Sequence, residues 1–93
     1  MKLYKKEAEN FLMNEVFLIG EIVSNINFDF MINSKHKSIS RFKIKTLDNQ
    51  ILDIKAYDNQ ADFVYRKSKQ GDSFFIYGRL EEVCILIKDI III

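Results

Sequence analysis

The stretch SISRFKIKTLDNQILDIKAY, residues 38–57, decides the fold because it has the pattern of one β-hairpin. Apolar and polar side chains alternate along both arms, with the period of two that is typical of a strand covering a core with one face. Between the arms, Asp48, Asn49 and Gln50 form a polar linker, and Asp and Asn suit tight turns because they tolerate positive φ. The stretch therefore predicts two antiparallel strands joined by a tight turn.

The register of this hairpin follows if both arms bury the same face of one sheet. A turn centred on Asn49 gives three inner pairs, which are Thr46–Leu52, Ile44–Ile54 and Phe42–Ala56. The same turn gives three outer pairs, which are Lys45–Asp53, Lys43–Lys55 and Arg41–Tyr57. Like charges directly across a strand pair are mildly destabilising, so the two facing lysines leave two interpretations open. The outer face is either a solvated surface with mixed charges or a groove for a phosphate backbone with an aromatic at its edge.

Length and composition indicate one soluble domain. The chain has 93 residues, of which 48% are hydrophobic and 29% are charged, the ordinary balance of a globular protein. Its longest apolar run, residues 90–93, is too short to span a membrane, and its N-terminus lacks the apolar core of a secretory signal. A cytoplasmic location is therefore expected. Since the net charge is +1, any site for a polyanion must come from local clustering of cations.

The sequence before the hairpin predicts a helix and a bent strand. Apolar residues form one helical stripe through residues 3–12, which predicts a short amphipathic helix within an N-terminal extension of residues 1–13. Residues 14–30 predict a long strand in two parts, with a bulge or sharp bend at Gly20. A polar, basic loop of residues 31–38 follows. Matching this strand to the hairpin gives the pairs Phe28–Phe42, Ile26–Ile44 and, on the outer face, Asp29–Arg41, Asn27–Lys43 and Asn25–Lys45.

The sequence after the hairpin predicts a second helix. An apolar stripe runs through residues 58–70, and Asp58 or Asn59 suits its N-cap. Gly71 suits the C′ position that stops the helix, because glycine adopts positive φ without steric cost. Three cations crowd the last turn, where they complement the helix dipole, and these are Arg66, Lys67 and Lys69.

Two further strands, in residues 73–80 and 83–93, complete the chain. Strands this short in a small domain must curl onto each other to leave no open edge. The element order therefore predicts an all-β fold: a five-stranded OB-fold barrel over residues 14–93, with a helix between strands three and four. The pattern places these side chains inward: Phe42, Ile44, Leu52, Ile54, Phe74, Ile76 and Leu80.

Three pieces of the chain carry a family resemblance. They are NEVFLIGEI at the first strand, SRFKIKT at the second, and the block ILDIKAYDNQADFVYRKSKQGDSFFIYGRL. In order and spacing they resemble the bacterial single-stranded DNA-binding proteins, the SSB family, over about residues 14–93. The long block is similar to the family's third strand, helix, lysine–glycine turn and fourth strand ending in Gly-x-Leu.

The resemblance implies that single-stranded DNA, or RNA, lies on the outer face of strands one to three, with bases stacked on aromatic side chains. The family's third-strand tryptophan position is Ile51 here, and its phenylalanine further along that strand is Tyr57, so one stacking platform is kept and one is lost. The family's long hairpin loops are trimmed, and the acidic tail of the family is not expected here. These departures suit a short, specialised member, or one close to primosomal protein B.

The predicted outer face and the loop before it supply the cations that binding of a single strand needs. They are Lys35, Lys37, Arg41, Lys43, Lys45 and Lys55. Tyr57 is the candidate for base stacking, and the alternative is a half-exposed strand tyrosine with no ligand. Asp29 and Asp53 lie on the same face and neutralise part of its charge, so weak to moderate affinity is expected.

A second outward surface is predicted to be apolar, and its side chains are Phe17, Ile19, Phe75 and Tyr77. Strands one and four are neighbours in an OB barrel, so these side chains form a larger apolar patch than a small monomer usually exposes. A subunit interface in a homodimer or homotetramer is the preferred interpretation. A base-stacking surface is the alternative.

The sequence carries no enzyme signature: it has no phosphate-binding glycine loop, no nucleophile with a matching base and no paired carboxylates in an apolar setting. No catalytic residue, cofactor or small-molecule substrate is therefore expected. His36 lacks partners at ligand spacing and is interpreted as a loop residue, so no metal site is predicted. Cys84 is interpreted as a small buried side chain. Two functions stay open: a nucleic-acid-binding module, or a protein-interaction subunit of a replication, restart or mobile-element complex.

Overall fold

Six strands and one helix follow one another in the computed structural model, which describes residues 14–93. They are β1 (Val16–Ile22), β2 (Asn27–Phe30), β3 (Ser38–Thr46), β4 (Ile51–Tyr57), α1 (Asp58–Lys67), β5 (Ser73–Leu80) and β6 (Ile85–Ile92). The predicted helix of residues 3–12 lies outside the described residues. The predicted first strand corresponds to β1 and β2, so the predicted strands two and three are β3 and β4. No helix in the described part of the chain has the length and apolar character needed to cross a membrane.

Five of the strands close into a barrel in the order β1–β3–β4–β6–β5–β1. Antiparallel pairs make up four of the contacts, and the fifth is a short parallel pairing of β4 with β6, in which Ile54 faces Ile85. The barrel holds because β1 changes partner along its length: it pairs with β5 from Val16 to Glu21 and with β3 from Gly20 to Ile22. This closed ring with α1 between β4 and β5 confirms the predicted OB-fold.

The inner faces of the strands and one side of α1 form a single core. Its buried members are Ile22, Phe42, Ile44, Ile54, Ala56, Ala61, Val64, Phe74, Ile76, Ile85, Ile87 and Ile90. Ser40, also buried, ties the helix to the barrel because its hydroxyl donates a hydrogen bond to the carbonyl of Ala61, 2.8 Å away. Leu52 is only partly buried, and Leu80 is 58% exposed, so the inward placement predicted for Leu80 is wrong.

The register of the β3–β4 hairpin differs by two residues from the predicted one. Lys43 faces Asp53 and Arg41 faces Lys55, so the predicted Lys43–Lys55 opposition is absent. The cause is the turn, which is centred on Asp48 and not on Asn49. The N–H of Thr46 donates to the carbonyl of Gln50 at 2.9 Å.

The loop between Thr46 and Gln50 has three residues, and the last of them, Asn49, has φ 68. A three-residue hairpin loop that ends in a left-handed residue is a favoured geometry. The carboxylate of Asp48 accepts hydrogen bonds from the side chains of Thr46 and Gln50, which lower the pKa of Asp48. Since a slip of two residues preserves the faces, the predicted inner and outer sets of the hairpin are kept.

The same shift of two residues affects β2. Phe28 faces Ser40 and Asn27 faces Arg41, so the predicted Phe28–Phe42 pairing is wrong. The loop that joins β2 to β3 is closed by a backbone hydrogen bond from Met31 to Lys37 at 2.8 Å.

Both ends of α1 differ from the predicted ones. The N-cap residue is Tyr57, and it makes no side-chain cap. Asp58 has φ 53, and its carboxylate accepts a hydrogen bond from Lys37 in the loop before β3. The helix ends at Lys67, before the extended C-cap residue Ser68. Gly71, with φ 102, lies in the turn beyond and donates its N–H to the carbonyl of Ile22, so it is not the C′ residue.

A β-bulge in the β5–β6 pair changes which side chains of β6 face the core. Tyr77 pairs with Asp89 and Gly78 with Ile87, so Lys88 is the extra residue. Odd-numbered Ile85 and Ile87 are buried before the bulge, and even-numbered Ile90 is buried after it. The ladders show no register shift at Gly20, so of the two predicted features, a bulge or a sharp bend, the bulge is absent, and β1 changes partner from β5 to β3 at this residue.

Two glycines permit close approach of neighbouring strands. A Cβ on Gly78 would lie 2.3 Å from the backbone oxygen of Leu86. One on Gly20 would lie 2.9 Å from the terminal Cδ1 of Ile44 and 3.1 Å from the backbone oxygen of Lys45, which is a milder backbone contact. A backbone oxygen in a ladder has little freedom to move, whereas the end of an isoleucine side chain can turn.

We therefore expect Gly78→Ala to lower the free energy of unfolding by about 3 kcal/mol and Gly20→Ala by about 1 kcal/mol. Urea unfolding followed by circular dichroism measures both. Equal losses in the two variants would contradict the close approach at the bulge.

Candidate nucleic-acid interface

A groove of about 670 Å³ crosses the outer face of β3 and β4. One wall is the segment that joins β1 to β2, and the other is the turn between β5 and β6. The lining residues are Ser24, Asn25, Asn27, Arg41, Phe42, Lys43, Asp53, Ile54, Lys55, Val83 and Cys84.

The eight predicted nucleic-acid-binding residues lie on the hairpin or on the loop before it. Arg41, Lys43 and Lys55 lie together on the groove floor. Beyond one end of it, Lys45 faces Ile51, which is 53% exposed at the hairpin tip. Toward the other end, Tyr57 follows on the same face of β4. The exposed Lys35 and Lys37 stand in the loop before β3.

Acidic partners already hold two of the groove cations. Lys43 Nζ lies 2.5 Å from Asp53 Oδ1, and Lys55 Nζ lies 3.2 Å from Glu81 Oε1. Glu81 also binds Arg79 at 3.3 Å. Within residues 14–93, no ion pair includes Arg41 or Lys45. Of the three cations on the groove floor, Lys43 and Lys55 are therefore held by carboxylates, and Arg41 is held by none within the described residues.

Lys55 remains cationic in this setting. Burial alone lowers the pKa of an ammonium group. The hydrogen bond to Glu81, with smaller contributions from Cys84 and Tyr57, outweighs burial and leaves the pKa of Lys55 above its usual range.

A pair of stacked rings stands at the Tyr57 end of the hairpin. The centroids of His36 and Tyr57 are 3.8 Å apart and their planes differ by 6°. His36 Nδ1 lies 2.8 Å from Asp58 Oδ2. Asp58 Oδ1 accepts the backbone N–H groups of Lys37 at 2.6 Å and Ser38 at 3.3 Å. One carboxylate thus fixes both the histidine ring and the loop that carries it.

Asp58 is ionised in this arrangement. Its hydrogen bond with His36 and those from the backbone of Lys37 and Ser38 lower the pKa of Asp58 below its usual value. Its carboxylate is bonded to the loop before β3, and the N-cap position belongs to Tyr57, so α1 has no side-chain cap.

Several residues of the site were not predicted from the sequence. His36 was interpreted as a plain loop residue, and its contact with Asp58 spans 22 positions without a local signal. No sequence pattern assigned Val83 or Cys84 to the site. Cys84 was predicted to be buried, and it is only half-buried. Asn25 and Asn27 were placed on the outer face by alternation but were not assigned to the site. Ser24 anchors this wall because its hydroxyl accepts the N–H of Lys43 at 2.8 Å.

The predicted apolar surface is present on β1 and β5. Phe17 stacks on Tyr77 with centroids 4.8 Å apart and lies 6.5 Å from Phe75. Phe17 is 60% exposed and Ile19 is 44% exposed. Ile91, opposite Phe75 on β6 and also exposed, was missed. We call these residues the three-strand patch: Phe17, Ile19, Phe75, Tyr77 and Ile91.

The fold is shared with solved single-stranded DNA-binding proteins. The SSB domain of a Synechococcus protein gives a TM-score of 0.76 at 12% identity, over 84% of this chain and 93% of that one. The single-stranded DNA binding protein from Thermus aquaticus gives 0.76 at 15% identity, over 87% of this chain and 40% of that one. PriB from Ralstonia solanacearum gives 0.69 at 10% identity, over 87% of this chain and 99% of that one. No protein-family model and no curated protein matches the sequence.

These matches confirm the predicted likeness to the SSB fold. At such low identity they show the fold alone, so the function is argued from the site.

The Asp58 contacts predict a stability that depends on pH. Because the pKa of Asp58 is lowered in the folded state, its contribution is complete above the unfolded value of about 3.9 and is lost as the pH falls through the folded value. We expect Asp58→Asn, which tolerates positive φ, to unfold at a lower urea concentration than the parent at about pH 7. The difference in urea midpoint between the parent and Asp58→Asn should become smaller at about pH 3. A gap that is unchanged between the two pH values would contradict this role.

Proposed function

We propose that the chain binds single-stranded DNA without strong sequence preference, across the outer face of β3 and β4 and the adjoining segment between β1 and β2. The observation that carries the proposal is the groove itself, which has Arg41, Lys43 and Lys55 on its floor. The OB-fold uses this face, with the loops beside it, to bind oligonucleotides. The solved structures that share the fold include proteins named for single-stranded DNA binding.

The phosphate backbone is proposed to follow the cations along the hairpin. Arg41 offers its guanidinium directly, because no carboxylate within residues 14–93 holds it. Lys43 and Lys55 must exchange Asp53 and Glu81 for phosphate, which costs part of the Coulomb energy that each phosphate contact provides. This exchange and the net charge of +1 are consistent with weak to moderate affinity.

Bases are proposed to lie on flat or apolar side chains near the track. Candidates stand at both ends of the hairpin: the Tyr57–His36 pair at one end, and Ile51 at the other. Val83, 82% exposed on the groove wall, offers another apolar contact. Stacking on such surfaces tolerates every base, which fits binding without sequence readout.

The three-strand patch supports a proposal about assembly. Within the described residues, β1 pairs only with β5 before Gly20, so its other edge there is open. We propose that two copies of the chain associate through this edge and the patch. The same patch favours the second candidate function, a protein-interaction subunit, if a different protein covers it.

The salt dependence of binding tests the phosphate track. If four phosphates are neutralised, the slope of log K against log salt for labelled oligo-dT should be about −3, from roughly −0.7 per phosphate on a single strand. Arg41→Ala should flatten the slope by about 0.7. Fluorescence anisotropy at several salt concentrations measures both values.

The matched control is Arg66→Ala, which removes the same charge from α1, where Arg66 pairs with Asp62. Its slope should equal that of the parent. A parent that shows no binding at low salt would leave the protein-interaction function as the better proposal.

Light scattering at tens of micromolar tests the assembly. We expect a dimer or tetramer for the parent and a monomer for Phe17→Asp, because a buried charge opposes association. Ile32→Asp is the matched control, since Ile32 is 85% exposed in the loop after β2, and it should leave the mass unchanged. A monomeric parent would overturn the interface.

A further inference from the structure

At the Tyr57 end of the hairpin, the loop before β3 determines which aromatic ring is open to a base. His36 covers one face of Tyr57 at 3.8 Å with nearly parallel planes. Lys55 Nζ lies 5.5 Å from the centroid of the Tyr57 ring. A base that approaches from the His36 side therefore contacts His36, whose side chain is 30% exposed, and not Tyr57.

The hydrogen bonding of His36 decides which of its nitrogens remains for a ligand. The Asp58 carboxylate carries no proton, because its pKa is lowered, so Nδ1 of His36 donates to it. Nε2 is the remaining ring nitrogen. When it takes up a proton, the ring gains a second N–H donor and a full positive charge.

The charged groups around His36 act in opposite directions. Asp58, at the start of α1, favours the protonated ring. Lys55, whose Nζ lies 5.5 Å from the centroid of the Tyr57 ring, and the neighbouring Lys35 and Lys37 oppose it. Tyr57 packs against the His36 ring and carries no formal charge that acts on it. A phosphate in the groove adds a second negative charge and favours the protonated form further.

We propose that His36 is a nucleic-acid-contacting residue of this protein, and that its protonation strengthens the binding of single-stranded DNA between about pH 7.5 and 5.5. The inference deepens the proposed function and rests on it. The neutral ring serves as a stacking surface, and the protonated ring adds one phosphate contact to the track. His36 is the only histidine in the chain, so a response in this range that disappears with its imidazole can be assigned to it.

The test measures the affinity for labelled oligo-dT at about pH 7.5 and 5.5, each at two salt concentrations. Thymine has no group that titrates in this range. The parent should bind up to about fivefold more tightly at the lower pH, the scale of one surface charge contact. Its salt slope should also become steeper by about 0.7.

Two substitutions separate the ring from its charge. His36→Phe keeps a flat ring beside Tyr57 but cannot take up a proton, so its affinity should not rise between about pH 7.5 and 5.5. His36→Ala removes the ring and should bind more weakly at both pH values.

The outcomes distinguish this inference from the proposed function. If His36→Phe keeps the gain at low pH, or His36→Ala binds like the parent, the role of His36 is overturned while DNA binding stands. If the parent binds at neither pH even at low salt, the proposed function falls and this inference falls with it.

Discussion

The parallel pairing of β4 with β6 is the contact on which the barrel and its groove depend. It is short, with Ile54 opposite Ile85 and Lys55 opposite Leu86. Without it, β4 would present an open edge beside the core. With it, the turn before β6 stands next to Lys55, which allows Glu81 to bind that lysine and Val83 to form a wall. A contact of the fold thus also sets the electrostatics of the groove.

Alternation along the strands was sufficient to predict which face each hairpin residue occupies, and therefore the fold. It was insufficient to predict partners. Placing the turn centre at Asn49 and not at Asp48 moved the register by two residues, a shift that alternation cannot detect because it preserves both faces. The energetic difference is local: it lies in the backbone of Asn49 and the hydrogen bonds of Asp48.

The candidate site was predictable to a similar degree. Arg41, Lys43 and Lys55 were placed together because they share one face of neighbouring strands. The ion pairs that hold two of them depend on register and on the β5–β6 turn, which short-range patterns do not encode. The stacking of His36 on Tyr57 depends on a loop conformation that Asp58 fixes from a distant part of the sequence. For the same reason, counting cations in the sequence overstates the charge that the free groove presents.

The bulge at Gly78 makes the length of β6 as important as its composition. Ile87 and Ile90 both face the core although three positions separate them, because Lys88 is accommodated as an extra residue opposite Tyr77 and Gly78. Lys88 itself is exposed, with its ammonium 5.2 Å from the Tyr77 ring centroid, so many polar side chains fit there. Removing or adding one residue between Ile87 and Ile90 is a different matter. The side chains after the change would then switch faces of the sheet. Ile90 would point outward and Ile91 inward, so the end of the last strand would exchange its core-facing side chains for its exposed ones.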